Sequence, residues 1–120
     1  MDATEIDRIE ATIARYGDRF LQRIFTEGEI AYETRRRNTA PHFAGRFAAK
    51  EAAMKALGTG TRGVAFREIE VRRDQRGKPT LTLHGRALER ARRLQVRSME
   101  LSITHGETTA AAVVAFLTGD

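Results

Sequence analysis

The sequence predicts an α+β fold: a small single domain with N-terminal helices, one long central helix and an antiparallel sheet. Three observations predict it. Apolar residues recur at helical spacing through the first half, polarity alternates in stretches of the second, and glycine-containing turns divide the segments. At 120 residues the chain reads as one domain over residues 1–120, large enough for a single core, with no internal repeat, linker or low-complexity segment.

Ile6, Ile9, Ile13 and Tyr16 form an apolar stripe on a predicted helix over residues 4–16, which Gly17 ends. Phe20, Leu21, Ile24 and Phe25 mark a short helical turn. Thr26 is placed to cap a helix from Glu27 to Arg37, and Glu29 completes a capping box. Pro41 opens the long helix, which closes near Leu57 at the natural stop Gly58. Its Phe43, Phe47, Met54 and Leu57 should face a core.

Glu51 and Lys55 lie four apart on that helix, beside Ala44, Ala48 and Gly58. The small side chains leave room for close approach to the backbone, next to a metal-capable oxygen and a phosphate-capable ammonium. Taken alone the pair reads as a solvated salt bridge, worth about 0.2–0.5 kcal/mol.

Phe66 to Val71 alternates and reads as a strand, Gln75-Arg76-Gly77-Lys78-Pro79 as a turn, and Thr80 to Leu83 as the returning strand. Ala87 to Leu94 is a predicted helix. Two further strands, Glu100 to Thr104 and Ala110 to Leu117, are joined by His105-Gly106-Glu107.

Composition narrows the chemistry. The absence of cysteine excludes disulfides, thiolate zinc sites and cysteine nucleophiles. The first residues lack the basic and apolar regions of a signal peptide, and no apolar run approaches spanning length, so a cytoplasmic protein is expected. A formal net charge of +5 predicts attraction to acidic partners: nucleic acid, an acidic protein or a polyphosphate ligand. Arginine supplies most of it, with clusters at Arg35-Arg36-Arg37, Arg72-Arg73 and Arg92-Arg93. A nucleic-acid-binding module rests on charge alone, because no basic-aromatic interleaving suited to base stacking occurs.

Gly58-Thr59-Gly60-Thr61-Arg62-Gly63 matches G-x-G-x-x-G, but it leaves a helix towards a strand, the reverse of a dinucleotide-binding turn. His42, His84 and His105 have no ligand spacing among themselves; His105, at a strand end, is the best functional candidate of the three.

Several segments together resemble the holo-acyl-carrier-protein synthase family of phosphopantetheinyl transferases. They are Asp2 to Ile9, Phe43-Ala44-Gly45-Arg46-Phe47-Ala48-Ala49-Lys50-Glu51-Ala52 with Lys55, Gly58-Thr59-Gly60, Asp74 to Pro79, and Ser102-Ile103-Thr104-His105. The resemblance covers nearly the whole chain, and its most specific block is Arg46 to Glu51. It implies transfer of 4′-phosphopantetheine from coenzyme A to a serine of an apo acyl carrier protein. It further implies Asp2 and Glu51 as magnesium ligands, with Glu51 and Lys55 catalytic. Lys55, Arg46, Gly58, Thr59, Gly60 and His105 would form the coenzyme A environment. Arg8 would hold the acidic carrier, with Arg15, Arg19 and Arg23 as additional contacts. The general base is left open between Glu51 and a water on the metal.

By the same resemblance the protein should be a homotrimer with sites between subunits, acting without nucleic acid or membrane. One departure stands out. Family members carry a short apolar, glycine-containing strand before the metal-binding aspartate, whereas here Asp2 directly follows Met1. The expectation is an unpaired sheet edge and reduced activity compared with a chain bearing that strand. A catalytically idle relative kept for carrier binding is the corresponding alternative.

Overall fold

The computed structural model describes residues 1–35 and 39–119. Strand β1 (Asp2–Glu5) leads into helices α1 (Ile6–Tyr16), α2 (Asp18–Ile24), α3 (Glu27–Thr34) and α4 (Thr39–Leu57). A 3-10 turn (Phe66–Glu68) precedes the hairpin β2 (Ile69–Arg73) and β3 (Pro79–Leu83). Helix α5 (Gly85–Arg93) and the long strands β4 (Val96–His105) and β5 (Thr109–Thr118) complete the chain. An α+β architecture results, with a three-stranded antiparallel sheet ordered β1-β5-β4 and a separate two-stranded sheet β2-β3.

Several predicted boundaries shift: α4 begins at Thr39 and α5 at Gly85, β4 extends from Val96 to take in His105, and two further shifts have a clear physical reason. The helix expected from residue 4 begins at Ile6, because Asp2 to Glu5 pair with β5 in the register Asp2↔Ala112 and Thr4↔Ala110. Asp2 therefore sits in a strand, and β1 covers the edge of β5 only from Thr109 to Ala112; among the described residues, Val113 to Thr118 have no strand partner on that side. Phe66 to Glu68, expected as strand, curl into the 3-10 turn, where Glu68 Oε1 accepts from the Ala65 backbone N–H at 2.7 Å. The predicted capping box is present: the Thr26 hydroxyl accepts from Glu29 N–H, and Glu29 returns the bond to Thr26 N–H. Helix α3 ends at Thr34; Arg36 and Arg37, included in the predicted helix, lie outside the described residues.

Helix α4 is the central element. One side packs Phe43 and Ala44 against Ile6, Ile9, Leu21, Ile24 and Phe25. Further along, Met54 and Leu57 pack with Val64, Ile69, Leu83 and α5. The stripe of small residues is not open to a ligand along its length. Ala48 and Ala49 are fully buried against Leu101, Ala112 and Val71, so the chain's own sheet takes that close approach. Gly45 explains how close: a Cβ there would stand 2.8 Å from Ile103 Cγ2. Among the described residues no helix is long and apolar enough to cross a membrane.

Candidate active site

Strand β1 and helix α4 build the site between them. Alternate residues of a strand share a face, so Asp2 and Thr4 turn inward while Ala3 and Glu5 are exposed. Helix α4 presents Glu51 to that face, where Thr4 Oγ1 donates to Glu51 Oε1 at 3.5 Å. One helical turn further on, Lys55 Nζ lies 2.8 Å from Asp2 Oδ2. That oxygen is buried with no aligned hydrogen-bond donor, so Lys55 meets it as an ion pair. Burial, and then the Asp2 charge, push the Glu51 carboxyl above its ordinary range, against the opposing pull of Thr4, Lys55 and Arg8. Contact with Asp2 and that carboxylate's charge hold the exposed Lys55 ammonium above its ordinary value.

These groups open on a cleft of about 400 Å³ walled by Asp2, Thr4, Arg8, Thr12, Phe47 and Glu51, among others. A second groove of about 410 Å³ continues along Tyr16, Arg19 and Arg23. Thr12 and Phe20 line both, so one path runs from the carboxylates to the outer face of α1 and α2 with Arg8, Arg19 and Arg23 beside it. Arg15 stacks over the Tyr16 ring at 5.3 Å.

The donor set suits a hard cation. Two carboxylates converge, the buried oxygen of one met by the exposed Lys55 ammonium, and magnesium commonly takes one or two protein carboxylates and completes its shell with phosphate oxygens and water. Among the described residues no three His, Cys, Asp or Glu gather into a metal cage.

The other expected residues lie apart. Gly58 and Thr59 close α4 in a Schellman motif: Gly58 N–H donates to Lys55 O at 3.1 Å, and Thr59 N–H to Met54 O at 3.2 Å. Gly58 has φ +74°, a conformation costly for a side chain bearing a Cβ. His105, at the far end of β4, is exposed and meets the His42 ring edge-on at 5.3 Å. From His42 to Gly58 along α4 is about 24 Å at the rise of an α-helix, so one chain does not bring His105 and the Gly58–Gly60 loop together.

Arg46 is 2% exposed and grips internal partners: Glu29 and Glu33, each at 3.6 Å, the Val71 carbonyl, and the Tyr32 ring at 5.2 Å. With Lys50 it forms a buried ionic cluster that sequence reasoning missed. Lys50 Nζ donates to Glu29 Oε1 at 2.8 Å, to Phe66 O at 3.0 Å and to Ile69 O, while Glu29 Oε2 accepts from Val71 N–H at 3.0 Å. Burial pushes the Lys50 ammonium below its usual value against the pull of Glu29. A signal existed: Lys50 falls on the same helical stripe as Phe43, Phe47, Met54 and Leu57. Thr4 was also missed, although the alternation of Asp2-Ala3-Thr4-Glu5 places it beside Asp2.

Residues 1–114 match the family model described as the 4′-phosphopantetheinyl transferase superfamily. The chain is 54% identical over 106 residues to a holo-acyl-carrier-protein synthase of Solibacter usitatus, covering 88% of this chain and 85% of that one. It is similar in structure to the Neisseria meningitidis holo-acyl-carrier-protein synthase, with TM-score 0.88 and 34% identity over 98% of this chain and 94% of the other. The Helicobacter pylori holo-acyl-carrier-protein synthase, solved in complex with coenzyme A, aligns with TM-score 0.83 and 30% identity over 97% and 96% of the two chains. The acidic pair on β1 and α4 thus sits in a chain that belongs to the 4′-phosphopantetheinyl transferase superfamily.

Proposed function

We propose that this protein is a holo-acyl-carrier-protein synthase, transferring 4′-phosphopantetheine from coenzyme A to a serine hydroxyl of an apo acyl carrier protein. The carrying observation is the convergence of Asp2, Glu51 and Lys55 on a cleft that continues into an arginine-flanked groove. Relatives named for this synthase, one of them solved with coenzyme A, support the same reading.

In the reaction the serine oxygen forms a bond to the phosphorus that carries pantetheine. The bond from that phosphorus to the bridging oxygen breaks, adenosine 3′,5′-bisphosphate leaves, and the hydroxyl proton passes to Glu51 or to a water. Charge on the diphosphate is the main obstacle. Asp2 and Glu51 would hold magnesium, which when bound supplies charge neutralisation at that diphosphate. Lys55, an exposed ammonium paired with Asp2, offsets charge on the leaving group. Phe47 excludes water from one wall, and Arg8, Arg19 and Arg23 draw in an acidic carrier, raising the encounter rate more than the affinity.

A homotrimer fits the spread of the donor-binding residues. The outer sheet face exposes Val113 at 47% and Leu117 at 65%, an apolar surface that a second copy would cover. Such packing would let His105 of one subunit serve the Gly58–Gly60 loop of its neighbour. We place the reaction in the cytoplasm, on carriers of fatty-acid or polyketide assembly.

Mass spectrometry of apo carrier incubated with coenzyme A, magnesium and this protein tests the reading. Gain of the phosphopantetheine mass is expected, and its loss with Glu51→Ala; a competent carrier left unmodified by the wild type overturns the assignment.

A further inference from the structure

We infer that Arg90 is a positioning residue for the donor-binding loop, acting by completing the C-terminal cap of α4; this rests on the synthase reading. The last four carbonyls of a helix lack partners within it. In α4 the Schellman bonds satisfy Met54 O and Lys55 O, which leaves Ala56 O and Leu57 O. Arg90, reaching across from α5, donates its Nε–H to Leu57 O at 3.0 Å.

The same guanidinium borders the loop itself. A Cβ on Gly58 would lie 3.6 Å from Arg90 Nη2, and Arg90 shares a cleft of about 520 Å³ with Gly58, Thr59, Gly63 and Val64. Arg90 therefore touches the helix end and the loop that follows it, while Ala87 and Ala91 anchor α5 in the core. Its stem is half-buried, which fixes where the charge sits.

Electrostatics explain why a cation is needed there. A helix C-terminus carries about half a negative elementary charge, and that end of α4 faces a loop expected to receive an anionic donor. Lys55 in the last turn is drawn towards Asp2. Arg90 is the cation bonded directly to the terminal carbonyl. Through it, α5 holds Gly58 and Thr59 in register and offsets the repulsion an incoming diphosphate would meet.

The test is steady-state kinetics of Arg90→Leu and Arg90→Lys against the wild type, with coenzyme A and carrier varied separately, alongside amide hydrogen exchange over residues 58–63. Arg90→Leu keeps the apolar stem and removes the donor. It should raise the KM for coenzyme A about fivefold to tenfold, as loss of one ordinary hydrogen bond predicts. The KM for carrier and the kcat should stay near wild type, and exchange at Thr59 and Gly60 should quicken. Arg90→Lys should recover most of the KM, because an ammonium can still donate to Leu57 O. An unchanged KM for coenzyme A in Arg90→Leu overturns the inference. So does a parallel fall in kcat, carrier affinity and melting temperature, which marks a general stability role. Failure of the wild type to transfer any group sinks the synthase reading, and this inference with it, and is told apart by the wild-type arm alone.

Discussion

Lys55 Nζ lies 2.8 Å from Asp2 Oδ2, joining the last turn of α4 to the first strand across 53 residues of sequence. The lysine is 67% exposed on its side chain, whereas Asp2 is 13% exposed. The flexible partner is thus the one that can swing away when a cation and a diphosphate arrive, and the carboxylate stays in place.

From this geometry Lys55→Met should lower kcat by about 10²–10³-fold, the usual cost of removing one charge-stabilising group. The fold should be unaffected, and the magnesium concentration giving half-maximal rate should not rise, since Asp2 is released from its ion pair. Kinetics with varied magnesium check both points. A lysine needed only to order Asp2 would instead shift the metal dependence.

The groove along α1 and α2 predicts a different signature. Arg19 and Arg23 are exposed and line it without bonding to the carboxylates. Arg19→Glu with Arg23→Glu should raise the KM for carrier at least about tenfold with little change in the KM for coenzyme A, and should weaken the salt dependence of the reaction. Rates measured across an ionic-strength series resolve this from a general loss of activity.

Deep under α4, Lys50→Met should be severely destabilising. It leaves Glu29, 1% exposed, without its ammonium partner, and breaking a buried pair this way costs about 3–5 kcal/mol. Pairing it with Glu29→Gln should recover part of the loss, because the uncompensated charge is removed. Denaturant unfolding of the single and double variants measures the coupling.

Glu70 gives the protein a pH dependence away from the active site. Burial pushes its carboxyl up, but bonds from His84, Thr26 and Arg72 outweigh burial and hold it below the ordinary value. A carboxyl depressed in the folded state contributes stability above its unfolded value and loses it as pH falls through the folded one. Glu70→Gln should therefore cost about 1–3 kcal/mol near neutrality, with the gap from wild type closing in acid below the usual carboxylate range. Thermal melts of both proteins from neutral to acid pH follow that closure.

Much of the architecture was legible along the chain because it depends on local chemistry. Thr26 and Glu29 lie three residues apart and cap a helix wherever it packs; Gly58 stops α4 by its own backbone freedom; the Gly77-containing turn separates β2 from β3. The placement of Glu51 and Lys55 on one face of α4, and the family resemblance that named Asp2, were likewise carried by the residues themselves, whereas the structure pairs Lys55 with Asp2 rather than in the expected bridge to Glu51. Long-range contacts were not. Whether Asp2 belongs to a strand depends on Ala112, more than a hundred residues away, offering its backbone bonds. The apolar stripe that carries Lys50 points to burial but names no partner, and only the packing of α3 and β2 over α4 sets Arg46 and Lys50 against Glu29 and Glu33. Local spacing and capping are properties of neighbouring residues; burial and the meeting of distant charges exist only once the chain has closed on itself.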